Sequence, residues 1–439
     1  MNMYAPLLRS ILLRDRQRKL AESSKGYLAE LGRDRIEQAQ VDRFNAVWAY
    51  CLEEIPFYSS WAREYDLPPR ISSLADLRQF PALTKSVIVQ RGSEIFQNGR
   101  ITNAYSTAGT SGTPARYPSG EHDVLGYYTT TYTGRGWWGI RPFDSYLHIW
   151  GHAHLFGGSG IKGKIQKAKR KVQDILANAT RVSSYDMSKD GLRSDYHALT
   201  RSNPSYIVGA TSAVFKLARF IESNSSSLAG LTKLKSVVVT AETVTQADVD
   251  VISRVFGVPV VIEYGSAETG VMATSRGGSW PLQVQWQGFI LSVADDGDVS
   301  VTTLNERLFP LINYSIGDRV EGGDIVDGNA LTLGAVTGRS QDVVTVSTLD
   351  GEHLELSAVL PVHLLKSEPG VSSVQLRQEA PGVLRIFLSA DRPLPLRDVA
   401  EAFTSQMKRE HSMFDPVSVS FEQIQEPLLT KAGKQALFV

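Results

Sequence analysis

Residues 204–224 read PSYIVGATSAVFKLARFIESN. A Pro-Ser pair opens a short run of aromatic and β-branched residues. From Ser212 onward the apolar spacing lengthens to that of a helix. This change of period marks a strand running into a helix. The unit then repeats. LKSVVVT (234–240) and VPVVIEYG (258–265) read as strands, QADVDVISRVF (246–256) as the helix between them, and SYLHIW (145–150) as an earlier strand. Strands alternating with helices predict an α/β sheet, largely parallel.

Upstream, residues 1 to 60 read as helices, with VDRFNAVWAYCLEEI (41–55) carrying apolar residues at helical spacing. Proline-marked loops follow through DLPPRISSLADLRQFPALTK (66–85). Downstream, GFILSVADDGDVSVTTL (288–304) is a hairpin pattern around Asp296-Gly297. A smaller unit begins after Gly338-Arg339. DVVTVSTLDGEHLEL (342–356) is a hairpin turning at Asp350-Gly351, and SSVQLRQEAPGVLRIFLSA (372–390) is two more strands. LRDVAEAFTSQMKRE (396–410) is a helix and PVSVSFEQI (416–424) a last strand. The expectation is a large α/β domain over 1–338 and a small α+β domain over 339–439. Trp137 and Trp138 read as core.

The chain of 439 residues exceeds one ordinary core. With 42% hydrophobic and 21% charged residues it has the composition of a soluble globular protein. Its 46 basic residues balance 46 acidic ones, so charge signals neither nucleic-acid binding nor disorder. Cys51 is the only cysteine, which excludes an internal disulfide and zinc sites built from several cysteines. A reducing, cytoplasmic compartment fits this usage. The N-terminal MNMYAPLLRSILLRDRQRKL is interrupted by Arg9, which is poor for a signal peptide. It reads as an amphipathic helix, with a membrane-surface anchor as the alternative. No run approaches the ~18 apolar residues of a transmembrane segment.

Chemistry is concentrated in AYSTAGTSGTPARYP (104–118). Ser, Thr and Gly in a tight loop offer backbone amides and rotatable hydroxyls, which hold phosphate oxygens without a large charge. A polar surface turn is the plain alternative. GSGIKGK (158–164) matches GxGxxG and nearly matches a P-loop, but Ile165 stands where Ser or Thr should meet magnesium. The six basic residues between 162 and 171 read as a solvated loop or helix face, or as a contact for an anionic partner. His148, His152 and His154 alternate on a strand. Pocket lining, packing and a metal site all fit that spacing.

Read together, distant motifs identify a family. YSTAGTSGTP (105–114) resembles the phosphate loop of the adenylate-forming superfamily, the acyl- and aryl-CoA synthetases and their relatives. TAET (240–243) resembles its GAEP-like turn, EYGSAETG (263–270) its YGxTE motif, and YSIGDRV (314–320) its YxTGD motif. TGRSQD (337–342) resembles its hinge and TKAGKQ (430–435) the C-terminal GK with the catalytic lysine. The six occur in family order. IPFYSSW (55–61) and FPALTKSVI (80–88) resemble signatures of phenylacetate–CoA ligase-like proteins, and HIWGHAHLFGG (148–158) those of a branch linked to polysaccharide or specialised-metabolite biosynthesis.

The resemblance implies a multi-layer α/β N-terminal domain and a small mobile C-terminal domain hinged near Ser340–Asp342. It implies ATP and Mg²⁺ as cofactors and a small carboxylic acid as substrate. Coenzyme A or the phosphopantetheine of an acyl carrier protein would be the second substrate, and homodimers occur among relatives. Thr107, Gly109, Thr110, Ser111, Gly112 and Thr113 would cradle the β- and γ-phosphates. The superfamily often has a lysine there, where Thr113 and Ala115 stand in this chain. Glu268 would ligate magnesium. Tyr264 would stack near adenine, Gly265 would let backbone approach it, and Ser266 belongs to the same motif. Ala241 and Glu242 would line the adenine and acyl side. Asp318 would accept the ribose hydroxyls, Arg339 would reach ribose or phosphate, and Lys434 would bridge the carboxylate and α-phosphate oxygens. Trp150, His152, Phe156, Gly209 and Ala210 are candidates to line the acyl pocket. For Glu263 and Arg319 a structural salt bridge competes with a functional role. The implied reaction is acid activation to an acyl-adenylate, then transfer to a thiol. The alternatives are transfer to an amine and a non-catalytic nucleotide-binding scaffold.

Overall fold

The computed structural model describes residues 31–96, 115–150, 171–184, 189–305, 307–339, 371–390, 392–410 and 417–425, most of 18–27, and the short pieces 103–106, 343–347, 353–357, Leu365 and Leu428. The chain divides into two compact units, the first ending at Thr337 and the second running from Gly338.

The first unit opens with helix α1 (Arg33–Glu54), which buries Val41, Phe44, Trp48 and Cys51 at helical spacing. Helix α2 (Pro56–Glu64) follows, with proline at its first turn, where no amide partner is lost. Phe57, Tyr58, Trp48, Phe80 and Phe309 form one buried ring cluster. The PFY stretch is therefore core, and Tyr58 Oη also donates to the Pro310 carbonyl. Leu83 exchanges backbone hydrogen bonds with Asn313 and Ser315, at 3.0 and 2.9 Å.

Strand β1 (Asn103–Ser106) pairs antiparallel with β2 (Arg116–Ser119), so this hairpin brackets the hydroxyl-rich loop. Helix α3 (Glu121–Gly136) comes next. It is followed by β3 (Tyr146–Trp150), β4 (Ala179–Ser183), α4 (Lys189–Ser202), β5 (Tyr206–Ala210), α5 (Thr211–Ser223), β6 (Ser236–Thr240), α6 (Gln246–Phe256) and β7 (Val260–Ser266). Thr245 and Asp248 cap α6 reciprocally, and Gly257, at φ +67°, ends it in the left-handed region. Strands β8 (Gly270–Ser275) and β9 (Leu282–Val284) complete this run.

The antiparallel sheet contains β10 (Phe289–Val293), β11 (Asp298–Thr303), β12 (Tyr314–Glu321), β13 (Ile325–Val326) and β14 (Asn329–Ala330). Then come β15 (Thr332–Leu333) and β16 (Ala335–Arg339). Among the described residues an eight-stranded sheet has the order β15-β9-β8-β7-β6-β5-β3-β4, and a six-stranded sheet β13-β14-β10-β11-β12-β16. Strands β4, β3, β5, β6 and β7 are parallel, as the alternation predicts. Their near-continuous apolar runs fit a sheet covered on both faces. Trp137 and Trp138 are half-buried rather than core. Trp138 lies at the rim, where its indole donates to the Ser275 carbonyl at 2.7 Å.

The second unit has a hairpin of β17 (Val343–Ser347) and β18 (His353–Ser357). A three-stranded sheet joins β19 (Val371–Ala380), β20 (Val383–Ala390) and β21 (Ser418–Ile424), with helix α7 (Leu396–Glu410) crossing between the last two. Leu384, Ile386 and Leu388 alternate into a core with Val399, Phe403 and Met407. No helix among the described residues is long and apolar enough to cross a membrane.

Candidate active site

Parallel strands point the same way, so β3, β5, β6 and β7 present their carboxyl ends along one sheet edge. The register pairs Ile149 with Gly209, Ala210 with Thr240, and Val239 with Ile262. Trp150, Ala210, Ala241, Glu242 and the Tyr264–Glu268 stretch therefore fall along that edge. Open α/β sheets bind their ligands outside it. Ala241 leaves β6 at φ +68°, a left-handed conformation that alanine rarely adopts. Gly209 has a packing reason instead. A Cβ there would stand 2.8 Å from the Ile149 carbonyl oxygen.

Two irregularities re-aim the motif residues. Between β7 and β8 the register slips after Tyr264, which faces Ala273 while Gly265 faces Val271. The extra residue is Met272 on β8, and a Cβ on Gly265 would lie 2.2 Å from the Gly270 carbonyl oxygen, so glycine is needed where the strands close into their turn. Between β11 and β12, Asp298 faces Arg319 but Ser300 faces Ser315. Ile316, Gly317 and Asp318 thus bulge from the ladder, with Gly317 at φ +79°. The bulges bring the two sheets together chemically. Tyr264 Oη donates to Asp318 Oδ2 at 3.0 Å, across 54 residues of sequence. The Tyr264 ring is 7% exposed, so its hydroxyl direction is set by packing.

Glu268 sits in the turn between β7 and β8. Its amide donates to Ser266 Oγ at 3.2 Å, and the Ser266 amide to Thr269 Oγ1 at 3.2 Å. Ser266 thus shapes this turn. The Glu268 carbonyl accepts from Arg307 Nη2 at 2.5 Å and from Tyr127 Oη at 3.0 Å. Its side chain is half-buried at the sheet edge. A hard carboxylate of this kind is the donor type that suits Mg²⁺. Such an ion takes one or two carboxylates and completes its shell with phosphate oxygens and water.

The salt-bridge readings of Glu263 and Arg319 are realised. Arg135 grips Glu263 through Nε–Oε1 at 2.7 Å and Nη2–Oε2 at 2.9 Å, with side chains 12% and 2% exposed. Burial acts against the Arg135 charge, yet Glu263 and the tyrosine hydroxyls outweigh it and raise the guanidinium's pKa well above its ordinary value. Arg319 Nε reaches Asp298 Oδ1 at 2.9 Å near the surface.

Along β3 the alternation places Tyr146, His148 and Trp150 on one face, with Leu147 and Ile149 buried on the other. Arg181 Nη1 lies 3.3 Å from His148 Nδ1 and its Nε pairs with Asp174 at 2.5 Å, so a local partner engages this histidine. Thr107, Gly109, Thr110, Ser111, Gly112, Thr113, His152, His154, Phe156, Ser340–Asp342 and Lys434 lie outside the described residues, as do the GSGIKGK stretch and the N-terminal 17 residues. The Arg339 backbone ends β16, and its side chain is outside as well. The sequence reading missed Asp123, Tyr127 and Arg307, which lie in no motif. A groove of about 880 Å³ between α1 and the start of α3, lined by Val47, Tyr50, His122, Leu308 and Pro310, holds none of the sequence-predicted residues.

No family model matches the sequence. The chain is similar to protein CapK of Staphylococcus aureus, with 25% identity over 321 residues, covering 68% of this chain and 66% of that protein. The match thus spans just under two thirds of that relative's length. Among solved structures it is similar to 2-hydroxyisobutyryl-CoA ligase in the postadenylation state with R3-HIB-AMP, at TM-score 0.62 and 16% identity over 93% of this chain and 90% of that one. The same ligase with 2-HIB-AMP and CoA in the thioesterification state gives 0.58 at 17% identity, over the same shares. The chain has the fold of the adenylate-forming ligases.

Proposed function

We propose that this protein activates a small carboxylic acid with ATP and Mg²⁺, forming an acyl-adenylate and pyrophosphate, and passes the acyl group to a thiol. The observation that carries this reading is the Tyr264–Asp318 hydrogen bond, which unites two motifs from two sheets beside the carboxyl edge. We assign Asp318 to the ribose hydroxyls, a task for a fixed carboxylate with a second acceptor oxygen. Tyr264 borders the adenine and holds Asp318. Ala241 and Glu242 line the adenine and acyl side, with Trp150 and Ala210 further along the edge. Glu268 holds Mg²⁺, which when bound neutralises phosphate oxygens. The loop of Thr107 and Gly109–Thr113 takes the phosphates, and Arg339 the ribose or phosphate.

The chemistry asks mainly for positioning and charge neutralisation. Lys434 supplies the cation between two anionic reactants. The N-terminal PFY and PxLTK stretches favour the phenylacetate–CoA ligase-like branch, hence an aryl or short acyl acid. The thiol is that of coenzyme A or a carrier phosphopantetheine.

The test is pyrophosphate release across aryl, fatty, hydroxy and amino acids, each with and without coenzyme A. Acid-dependent release that coenzyme A sustains is expected. Release indifferent to coenzyme A would move the acceptor to a carrier protein or an amine. Wild-type protein that binds no ATP would overturn the reading. Within it, Asp318→Ala should raise the KM for ATP at least about tenfold, because hydrogen bonds to charged groups contribute about 1.5–3 kcal/mol. Tyr264→Phe removes one neutral donor and should cost about three- to fivefold. An unchanged KM in Asp318→Ala would place the ribose elsewhere.

A further inference from the structure

We propose that Arg307 is a positioning residue, which holds the backbone of Glu268 so that its carboxylate meets the nucleotide-bound Mg²⁺. This rests on the function proposed above. Arg307 lies in the loop between β11 and β12 and belongs to none of the six motifs. Its side chain is 5% exposed and its Nε pairs with Asp123 Oδ1 at 3.1 Å, on a side chain with no exposure. Its Nη2 donates to the Glu268 carbonyl at 2.5 Å and to Tyr127 Oη at 2.8 Å. Tyr127 Oη in turn donates to that same carbonyl at 3.0 Å, and the guanidinium stands 5.4 Å from the Tyr127 ring centre. Gly270, at φ +77°, closes the turn against this ring, because a Cβ there would lie 2.4 Å from it.

A buried ion pair is a poor stabiliser, since desolvation offsets most of its attraction and apolar residues often serve as well. What this one accomplishes is directional. A planar guanidinium with its N–H groups in a fixed fork holds Asp123 through Nε while Nη2 holds the peptide oxygen and Tyr127 Oη. Asp123 Oδ2 also accepts the amides of Gly120 at 3.0 Å and Leu308 at 3.4 Å. Gly120 directly follows β2, the strand that leaves the hydroxyl-rich loop. One carboxylate therefore ties the far end of β2, through Arg307, to the turn that carries the candidate metal ligand. The ligand's own amide is pinned by Ser266, so both peptide groups flanking the Glu268 side chain are restrained. Mutating a group that orients a metal ligand typically costs about 10–100-fold in metal affinity.

The experiment is calorimetric ATP binding with and without Mg²⁺, for wild type, Arg307→Lys and Tyr127→Phe. Lysine keeps a cation for Asp123 but loses the fork. In Arg307→Lys the tightening conferred by Mg²⁺ should shrink about tenfold, the lower end for an outer partner of a metal ligand. Metal-free ATP affinity and the thermal midpoint should stay near wild type. A merely structural residue would shift the midpoint or both affinities together. An unchanged Mg²⁺ gain in Arg307→Lys overturns the proposal, as does a wild type whose ATP binding ignores Mg²⁺. Should Arg307→Lys not fold, Tyr127→Phe decides: a reduced Mg²⁺ gain supports the proposal and an unaltered one overturns it. This readout needs no acid, so absence of pyrophosphate release would sink the proposed reaction and leave this result standing.

Discussion

Lys434→Ala is expected to lower acid-dependent pyrophosphate release by at least about 10²–10³-fold, the range for removing one preorganised charge-stabilising donor. A carboxylate must approach an α-phosphate that is itself anionic, and charge grows on the phosphate oxygens as the bond forms. A cation placed between them is worth most when they meet, so its loss falls on kcat. A single solvent-exposed ion pair is worth about 1 kcal/mol or less, so on the proposed role ATP affinity should change little. Calorimetry for ATP and a pyrophosphate assay for the reaction separate the two. Preformed acyl-adenylate supplied to the variant should still react with the thiol, because the role proposed for the lysine belongs to the first half-reaction. Full-rate pyrophosphate release by Lys434→Ala would refute the assignment.

The parallel sheet and the motif order were legible because both signals are local. Strand and helix periods sit within a dozen residues, and glycine, hydroxyl and carboxylate spacing survives without tertiary context. The placement of Trp150, Ala210 and Ala241 at strand ends follows from them, since each terminates or follows a β-run visible in the sequence. What was not legible depends on partners far along the chain. Arg307 meets Asp123 across 184 positions, in a loop whose sequence, NERLFP, gives no hint of an anchor. The bulge that presents Asp318 arises from a slip against β11, which no reading of β12 alone reveals. The sequence makes Gly265 a place where backbone approaches a ligand and Gly209 a candidate to line the acyl pocket. Within the protein itself both glycines already meet backbone, Gly209 at the Ile149 carbonyl and Gly265 at that of Gly270, contacts that depend on neighbouring strands and are invisible in either local sequence. Half-buried Trp137 and Trp138 show the same limit, because hydrophobicity alone does not tell rim from core.

The second large effect concerns the strand beneath the site. Arg135→Met should destabilise the first unit by about 3–5 kcal/mol, because it leaves the Glu263 carboxylate buried without its partner. That is a large share of the ~5–15 kcal/mol that holds a typical domain folded. Tyr206, whose hydroxyl accepts from Arg135 Nη1 at 3.3 Å, would lose its donor as well. Arg135→Met combined with Glu263→Leu should recover most of the loss, since an apolar pair removes the desolvated charge. Urea unfolding of the three proteins measures this directly. The double variant also separates structure from function at Glu263, which adjoins Tyr264 on β7. If the ion pair only fills space beneath the strand, the double variant keeps its hydrogen bond to Asp318 and a near-wild-type KM for ATP. Restored stability with lost ATP affinity would instead make Arg135–Glu263 part of the site, acting through the placement of Tyr264.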